Sequence, residues 1–465
     1  MNASIPCAAA ALLLAGCASF TPDGGFAQVQ QLTRERTGQV PAMQRSAEPG
    51  AELQARVDAL LQAPLSADAA IALALLNHRG LQARFAELGI AEADLVSAGR
   101  LRNPSFSFGR LAGAGSVEID RVVMFDVLSL LTMPMARDLE QDRFAQAQLQ
   151  AAFDAVGVAA EARQAFFGAV AAQQLLQYHR QVMEAAEASN ELARRMVQAG
   201  SFSALSQMRE QAFHADTTAQ LARALHRASA ERERLARALG VADALALRLP
   251  ERLPPLPAQP TAPRDAEQAA MDQRLDVLMA RRSTEATARA LGLSKTTRFV
   301  NVLHLGYQNQ SASGEARRNG YEIELSLPLF DFGSTRVARA EATYLQALHQ
   351  TAQIANDARS EVRETYSAYR TAYELARHYR DEVVPLRKRI SDEVLLRYNG
   401  MLGSVFELLA DAREQVGAVS ASVEALRDFW VADAQLQTAL SGRSPGPALA
   451  LRPAAGAPAA GKAGH

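Results

Sequence analysis

A very long helical run constrains the fold of this 465-residue chain more than any other feature. From Arg137 to Ala199 only Gly157 and Gly168 interrupt a composition that favours helix. At the rise of an α-helix this run would extend roughly 90 Å, which far exceeds a compact domain. A helix of that length needs partners of similar length, so the run predicts a packed assembly of long helices.

Apolar residues at alternating steps of three and four predict coiled-coil seams in the last two long helices. The seam residues are Val362, Tyr366, Tyr369, Tyr373 and Ala376 in one helix and Leu409, Ala412, Val416, Val419, Val423, Leu426 and Trp430 in the other.

The chain repeats one order of elements on either side of a Pro-rich break at residues 250–263. Each half contains a helical stretch (roughly Ala67–Gly99 and Asp265–Leu291), two strand-like segments, a very long helix, a glycine and a returning helix. The predicted organisation is a signal peptide at 1–16, a linker at 17–64, a first repeat at 65–249, a Pro-rich linker at 250–263, a second repeat at 264–441 and a disordered tail at 442–465.

The strand-like segments are amphipathic, most clearly near the middle of the second repeat. Tyr321, Ile323 and Leu325 alternate with Glu322 and Glu324, which predicts a strand with one apolar and one polar face. The four predicted strands are Asn103–Leu111, Val117–Met133, Thr297–Gln310 and Gly320–Phe330. These segments alone leave two alternatives open, a membrane-embedded sheet or an amphipathic sheet that covers a soluble core.

Composition excludes several classes of protein. The formal net charge of −1 gives no electrostatic case for nucleic-acid binding. No run approaches the roughly 18–20 apolar residues of a transmembrane helix, so a membrane crossing would require a closed barrel. Four strands cannot close a barrel alone, which predicts an oligomer if the strands are membranous. We find no phosphate-binding loop, no nucleophile elbow and no His pair at helical metal-site spacing, so we expect no enzyme activity, cofactor or metal site.

The N-terminal segment predicts lipid attachment. Cys7 and Cys17 are the two cysteines of the chain, which excludes a disulfide framework in its body. Leu14-Ala15-Gly16-Cys17 resembles the bacterial lipobox, in which cleavage precedes the Cys and its thiol is acylated. Ala18 after the Cys favours the outer membrane. The alternative is an ordinary secretory signal with a chance Cys. No Lys or Arg precedes the apolar run, so either the n-region is atypical or the start codon is misassigned.

Several motifs resemble the TolC-type outer-membrane efflux channels, in their lipoprotein branch, over about residues 65–440. The most specific is Leu327-Pro328-Leu329-Phe330-Asp331-Phe332-Gly333 with Arg336, which resembles the family's junction between the last barrel strand and the tunnel helix. Leu130–Met135 resembles the first-repeat counterpart. Val384-Pro385 with Arg397-Tyr398-Asn399-Gly400, and the stretch from Gly200 to Arg209, resemble the approach to the periplasmic tip. Asn103-Pro104 is similar to the heavy-metal-efflux branch.

The resemblance implies an α+β membrane protein in which three copies share one transmembrane β-barrel, with four strands per protomer, that continues into a long periplasmic α-helical coiled-coil barrel. It assigns Pro134, Pro328 and Gly333 to the barrel–tunnel junction. It assigns the tip and gate to Gly200, Tyr398, Gly400, Glu407 and Asp411. Carboxylates on the polar faces of the strands would line the barrel lumen and favour cations; they are Glu118, Asp120, Asp126, Glu322 and Glu324. The alternative is that these acids are ordinary solvated side chains.

The function implied is that of a passive exit duct in a tripartite efflux system, anchored to the outer membrane by lipid at Cys17. Its partners would be two further copies, a periplasmic adaptor and an inner-membrane pump of the RND or ABC type. Two alternatives remain open, an exit duct for polypeptides in type I secretion and a periplasmic adaptor or structural coiled-coil lipoprotein without a barrel.

Overall fold

The structure is a computed structural model that describes residues 19–46, 48, 50–113, 116–261, 265–296, 302–325 and 330–446. The helices are α1 (Phe26–Thr37), α2 (Ala51–Gln62), α3 (Ala67–Asn77), α4 (Arg79–Ala98), α5 (Val127–Gln198), α6 (Ala204–Leu239), α7 (Ala266–Gln273), α8 (Leu275–Thr296), α9 (Ser334–His378), α10 (Val384–Asn399) and α11 (Val405–Ser441). A short 3₁₀ turn spans Ala244–Ala246, and a π turn spans Tyr379–Val383. The strands are β1 (Ser105–Gly113), β2 (Ser116–Asp126), β3 (Leu303–Ala312) and β4 (Arg318–Leu325).

The repeated order of elements is present in the structure. The order α3–α4–β1–β2–α5–α6 recurs as α7–α8–β3–β4–α9–α10–α11. Each predicted helical stretch ahead of the strands is divided at one residue with extended backbone. That residue is His78 (ψ 108°) in the first repeat and Arg274 (ψ 129°) in the second.

Several sequence-based assignments differ from the structure, and all four strands have shifted limits. The second strand was predicted to reach Met133 but ends at Asp126, because the Asp126 carboxylate accepts the Ser129 N–H at 2.9 Å and so caps α5. The linker at 17–64 contains α1 and α2. The tail predicted to be disordered begins with ordered contacts, since the Arg443 guanidinium lies 4.7 Å from the centre of the Phe153 ring.

Contacts divide the chain into two units, and each unit draws on both repeats. The first unit consists of Met1–Val29, Ala83–Ala152 and Leu275–Asn356. The second unit consists of Gln30–Gln82, Phe153–Arg274 and Asp357–His465.

The first unit contains the sheet. Its strands are antiparallel in the order β1-β2-β3-β4, so β1 and β4 are edge strands with one side of each backbone unpaired within the chain. Four described helices adjoin the strands in sequence, and all of them connect at the same end of the sheet; they are α4, α5, α8 and α9. The two hairpin turns lie at the opposite end, between Gly113 and Ser116 and between Ala312 and Arg318.

The second unit contains the main helical core. Small side chains such as Ala162, Ala165 and Ala169 on α5 let helices approach closely, and Phe166 and Phe167 fill the remaining space. The ring of Phe167 stacks on Trp430 with centroids 5.3 Å apart. In an adjoining cluster, several seam residues predicted from sequence pack around Phe429; they include Tyr369, Tyr373 and Ala376.

The same aromatic residues bind the Pro-rich segment that joins the repeats. The Tyr373 hydroxyl donates to the Ala258 carbonyl at 2.8 Å, and the Trp430 indole N–H donates to the Pro254 carbonyl at 3.0 Å. A segment with so many prolines cannot form a strand ladder, so these side-chain donors satisfy its carbonyl groups. The segment is therefore a packed part of the second unit.

A π turn interrupts the long helical path between α9 and α10. The Val384 N–H donates to the Tyr379 carbonyl, five residues earlier, at the start of a helix whose first turn contains Pro385. Proline has no N–H and its ring clashes with the carbonyl four residues earlier, which accounts for the wider turn at this point.

Candidate functional site

The strand register separates the sheet into two chemically different faces. Residues directly opposite in an antiparallel pair share a face, and alternate residues along a strand share a face. Asp126 opposes His304, which opposes Glu324, and Gly306 opposes Glu322. All five carboxylates predicted to line a lumen therefore lie on one side. We call this side the acidic face; its polar members are Ser105, Ser107, Ser116, Glu118, Asp120, Asp126, His304, Gln308, Gln310, Arg318, Glu322 and Glu324.

Hydrogen bonds join neighbouring strands across the acidic face. Gln310 donates to Glu118, and the His304 ring lies 3.0 Å from a Glu324 carboxylate oxygen. Asp120 Oδ1 is buried and finds no hydrogen-bond partner in the part of the chain that the structure describes. The sequence interpretation did not predict that His304 stands in one row between Asp126 and Glu324, although His304 occupies a polar position of the alternation.

The opposite side of the sheet, which we call the apolar face, is exposed in the single chain. Its apolar members are Phe106, Phe108, Ala112, Val117, Ile119, Val123, Phe125, Leu303, Leu305, Tyr307, Tyr321, Ile323 and Leu325. Tyr321 is 81% exposed and Phe106 is 64% exposed. A sheet that covered a soluble core would bury this face, so the exposure disfavours that alternative within this chain.

The strand–helix junctions use acidic caps. In the first repeat, Asp126 caps α5, and Pro134 lies inside α5, past its first turn. The junction is thus upstream of the Pro134 position that the sequence indicated. Pro134 is the eighth residue of α5, so its missing N–H leaves the Leu130 carbonyl without the hydrogen bond that a helix would normally supply.

In the second repeat, Gly333 stands directly before α9 with φ +77°, a conformation that favours glycine. The Asp331 carboxylate accepts the Gly333 N–H at 2.8 Å and the Thr335 hydroxyl at 2.7 Å. The hydrogen bond from Thr335 lowers the pKa of Asp331, and backbone N–H groups and Arg336 contribute in the same direction. Pro328 lies outside the described residues, as does Cys17.

The two helical hairpin turns in the second unit share one backbone motif. Ser201 N–H donates to the Met196 carbonyl at 3.0 Å, and Leu402 N–H donates to the Arg397 carbonyl at 2.8 Å. These six-residue closures are Schellman motifs, which place the preceding residue in the left-handed region. That residue is Gly200 (φ +72°) in the first hairpin and Met401 (φ +60°) in the second.

Gly400, the predicted turn glycine, is therefore not the left-handed residue. Its φ is −80°. The backbone carbonyl of Tyr398, two residues before Gly400, accepts the Met401 N–H at 3.0 Å.

The predicted gate carboxylates differ in their surroundings. Ser404 caps α11 by accepting the Glu407 N–H, and Glu407 itself is exposed. Asp411 is 7% exposed, and its Oδ2 finds no hydrogen-bond partner within the described chain. Asp411 is thus not an ordinary solvated charge in this chain.

The equivalent position of the first repeat also carries a buried acid. Glu210 follows the capping Ser203 by seven residues, as Asp411 follows Ser404, and one Glu210 oxygen accepts the Ser189 hydroxyl at 2.8 Å. An alignment of the two repeats on their capping serines would have predicted this residue, which the sequence interpretation missed.

An arginine joins the two returning helices near these turns. The Arg413 guanidinium on α11 lies 4.8 Å from the centre of the Phe213 ring on α6 and donates to the Arg209 carbonyl at 3.3 Å. The contact couples the second helix of one hairpin to the second helix of the other.

Within the described ranges, no group of three or more His, Cys, Asp or Glu side chains is placed to hold a metal ion. None of the helices described combines the length and the apolar character that a membrane span requires.

Comparisons with known proteins identify the fold. No protein-family model matches the chain, and no curated protein matches it significantly. Solved structures do match. A membrane protein from Pseudomonas aeruginosa is 20% identical, with a TM-score of 0.68 over 86% of this chain and 99% of that one. The outer-membrane channel OprN is also 20% identical, with a TM-score of 0.69 over 87% of this chain and 94% of that one.

CusC is 16% identical, with a TM-score of 0.67 over 86% of this chain and 98% of that one. Its crystal structures concern conformational changes that accompany folding and transmembrane channel formation. The similarity in each case extends over most of both chains. The chain therefore has the fold of the TolC-type outer-membrane channels, as the resemblance of its sequence motifs predicted.

Proposed function

We propose that this chain is one protomer of a homotrimeric outer-membrane channel that serves as the passive exit duct of a tripartite efflux system. The observation that carries the proposal is the four-stranded sheet, with one acidic face, one exposed apolar face and two unpaired edges. The likeness to outer-membrane channels supports the same reading.

The unpaired edges of β1 and β4 require neighbours if the apolar face contacts lipid. Unpaired backbone groups are not tolerated in the hydrocarbon region, and four strands are too few to close a barrel. Pairing β1 of one copy with β4 of the next removes every edge. The resemblance to TolC-type channels favours three copies, in which the apolar face meets lipid and the acidic face lines the lumen.

Transport through such a duct takes its energy from elsewhere. A channel in the outer membrane has no proton gradient to draw on, and the sequence has no nucleotide-binding motif. We therefore propose a periplasmic adaptor and an inner-membrane pump of the RND or ABC type as partners. Small molecules or metal cations would be the cargo.

We also propose that lipid at Cys17 anchors the chain beside its own sheet. Thr21, four residues on, donates both its N–H and its hydroxyl to the buried Glu92 of α4, each at 2.7 Å. Four residues span at most about 14 Å. The two hydrogen bonds from Thr21 to Glu92 therefore keep an acyl group on Cys17 close to α4, the helix that leads into β1. Cys17→Ala is expected to abolish labelling by radioactive palmitate, and normal labelling of that variant would refute the anchor.

Disulfide trapping tests the shared barrel directly, because the described chain contains no native cysteine. Ser107→Cys on β1 would be combined in turn with a cysteine at Arg318, Gly320 or Glu322 on β4. Two strands separate these positions within one chain, so their Cα atoms are roughly 14 Å apart, too far for an intramolecular disulfide.

A shared barrel predicts covalent trimers with at least one of these pairs and discrete conductance steps when the trimer enters a planar bilayer. Single-cysteine variants are the control, since they can form dimers at most. Monomers without conductance, which a periplasmic adaptor or structural lipoprotein would give, would overturn the proposal.

A further inference from the structure

The described carboxylates of the sheet are confined to one of its two faces. All of its carboxylates lie on the acidic face, whereas Arg110 and Arg121 lie on the apolar face, opposite Ile119 and Phe108 respectively. No strand residue described on the apolar face is acidic. The counter-charge of these two arginines must therefore come from outside the sheet.

Arg121 belongs to a polar row that crosses three strands of the apolar face. Its guanidinium donates to the Asn309 side-chain oxygen at 3.0 Å, and the Asn309 amide donates to the Asn319 side chain at 2.6 Å. Since a guanidinium has five N–H donors in a fixed fork, the bond to Asn309 orients Arg121 and leaves other donors available.

The polar row borders an aromatic row. Tyr307 and Tyr321 oppose each other one row farther from the hairpin turns, and they are 53% and 81% exposed. Tyrosines at the margin of an apolar band mark the level of lipid headgroups in membrane sheets. Arg121 lies one row beyond the tyrosines on the side of the turns, and Arg110 lies one row beyond Arg121.

The two arginines are also near enough to act together. Arg121 is opposite Phe108, and Arg110 follows Phe108 by two residues, so they are diagonal neighbours separated by roughly 7–8 Å. Long side chains at that distance can converge on one phosphate group, and paired charge-assisted hydrogen bonds to phosphate are a preferred use of arginine.

We propose that Arg110 and Arg121 form a binding site for the headgroup phosphates of an anionic lipid in the leaflet nearest the hairpin turns. The inference rests on the proposed function, because it places the apolar face in lipid. If the helices extend into the periplasm, the hairpin turns face outward and the lipid is that of the outer leaflet.

Native mass spectrometry of the detergent-purified protein, titrated with the diphosphorylated glycolipid lipid A, tests the site. Wild type is expected to retain the lipid, and Arg110→Gln with Arg121→Gln is expected to lower its affinity at least about tenfold. Arg318→Gln is the matched control, since it removes an exposed arginine from the same end of the sheet on the acidic face. Replacing both arginines by Lys should give an intermediate affinity, because the charge remains without the fork.

Two further arms define the ligand and separate this inference from the proposed function. Excess inorganic phosphate is expected to compete poorly, because it lacks the acyl chains that the aromatic and apolar rows contact. Conductance in neutral-lipid bilayers should persist in the double Gln variant, which also verifies that it folds. Equal retention of lipid A by a conducting wild type and a conducting double variant would overturn the lipid site while leaving the channel intact.

Discussion

Met401 occupies, in the second helical hairpin, the left-handed backbone position that Gly200 occupies in the first, with φ +60° against +72°. The hydrogen bonds that close the two turns are the same, so the fold imposes this conformation on whichever residue stands there. A side chain with a Cβ is strained in that region.

Met401→Gly is expected to stabilise the protein by about 1 kcal/mol, because it relieves the left-handed strain at the turn. The reciprocal change, Gly200→Met, should destabilise by a similar amount. Thermal unfolding midpoints measured in one detergent compare the two variants with wild type. A lower midpoint for Met401→Gly would show that the exposed Met side chain contributes more than the strain costs.

Asp126 is expected to matter as a helix cap as well as a charge. Asp126→Ala should destabilise by about 1 kcal/mol, since the Ser129 N–H loses its acceptor at the start of α5. Asp126→Asn keeps an acceptor and removes the charge, so it should retain most of the stability. Equal losses of stability in the two variants would assign the effect to the charge instead of to the cap.

The Asp331 cap should make the start of α9 sensitive to acid. Its folded-state pKa lies below the ordinary value of 3.8, so the stabilisation is complete at pH values above 3.8 and is lost as pH falls through the folded pKa. Asp331→Ala should therefore lower the thermal midpoint at neutral pH, and the difference from wild type should shrink in strong acid. A difference that stays constant down to that range would exclude the carboxylate as its source.

The acidic face predicts cation selectivity in the proposed trimer. Glu322→Gln with Glu324→Gln removes six carboxylates per trimer (two in each of three copies) and should shift the reversal potential in a salt gradient toward zero selectivity. Glu315→Gln is the control, because Glu315 lies in the hairpin turn and pairs with Arg318 at 2.6 Å. Anion selectivity in wild type, or no change in the double variant, would refute a lumen lined by this face.

The gate prediction concerns Glu407 and Asp411. Glu407→Ala with Asp411→Ala is expected to weaken block by hexamminecobalt applied from the periplasmic side. Because Glu407 is exposed and Asp411 is nearly buried in the single chain, the Glu407 change alone should account for most of the effect. Glu393→Ala, an exposed acid on α10, is the matched control. Unchanged block affinity in the double variant would place the constriction at other residues.

The faces of the sheet were predictable because the side-chain period of a strand is two. Glu322 and Glu324 lie on one face of β4. The pairing of β4 with β3, and of β3 with β2, places Glu118, Asp120 and Asp126 on that same face. The end of β2 was not predictable from hydrophobicity, since an apolar run suits either a buried strand or a helix start. The hydrogen bond from the Ser129 N–H to the Asp126 carboxylate fixes the point where β2 ends and α5 begins, and this capping signal involves four residues.

The hairpin turn shows a different limit. Gly400 was a reasonable candidate for the turn residue, because glycine is the usual left-handed residue at a helix C-terminus. The exact residue depends on where the helix ends, and the capping Ser404 starts the next helix at Val405, five residues after Gly400. The closing hydrogen bonds then select Met401, against local preference.

The π turn at Tyr379–Val383 shifts the packing stripe of the long helical path by one residue. Before the turn, buried and half-buried positions recur from Val362 to Ala376 at steps of four, three, four and three, which is the repeat of a left-handed supercoil. After the turn, half-buried positions recur from Val384 to Tyr398 at steps of three, four, three and four, which is the same repeat. The step of eight residues from Ala376 to Val384 replaces a step of seven, so the one inserted residue moves the packing stripe by one position and the supercoil repeat continues to the hairpin turn.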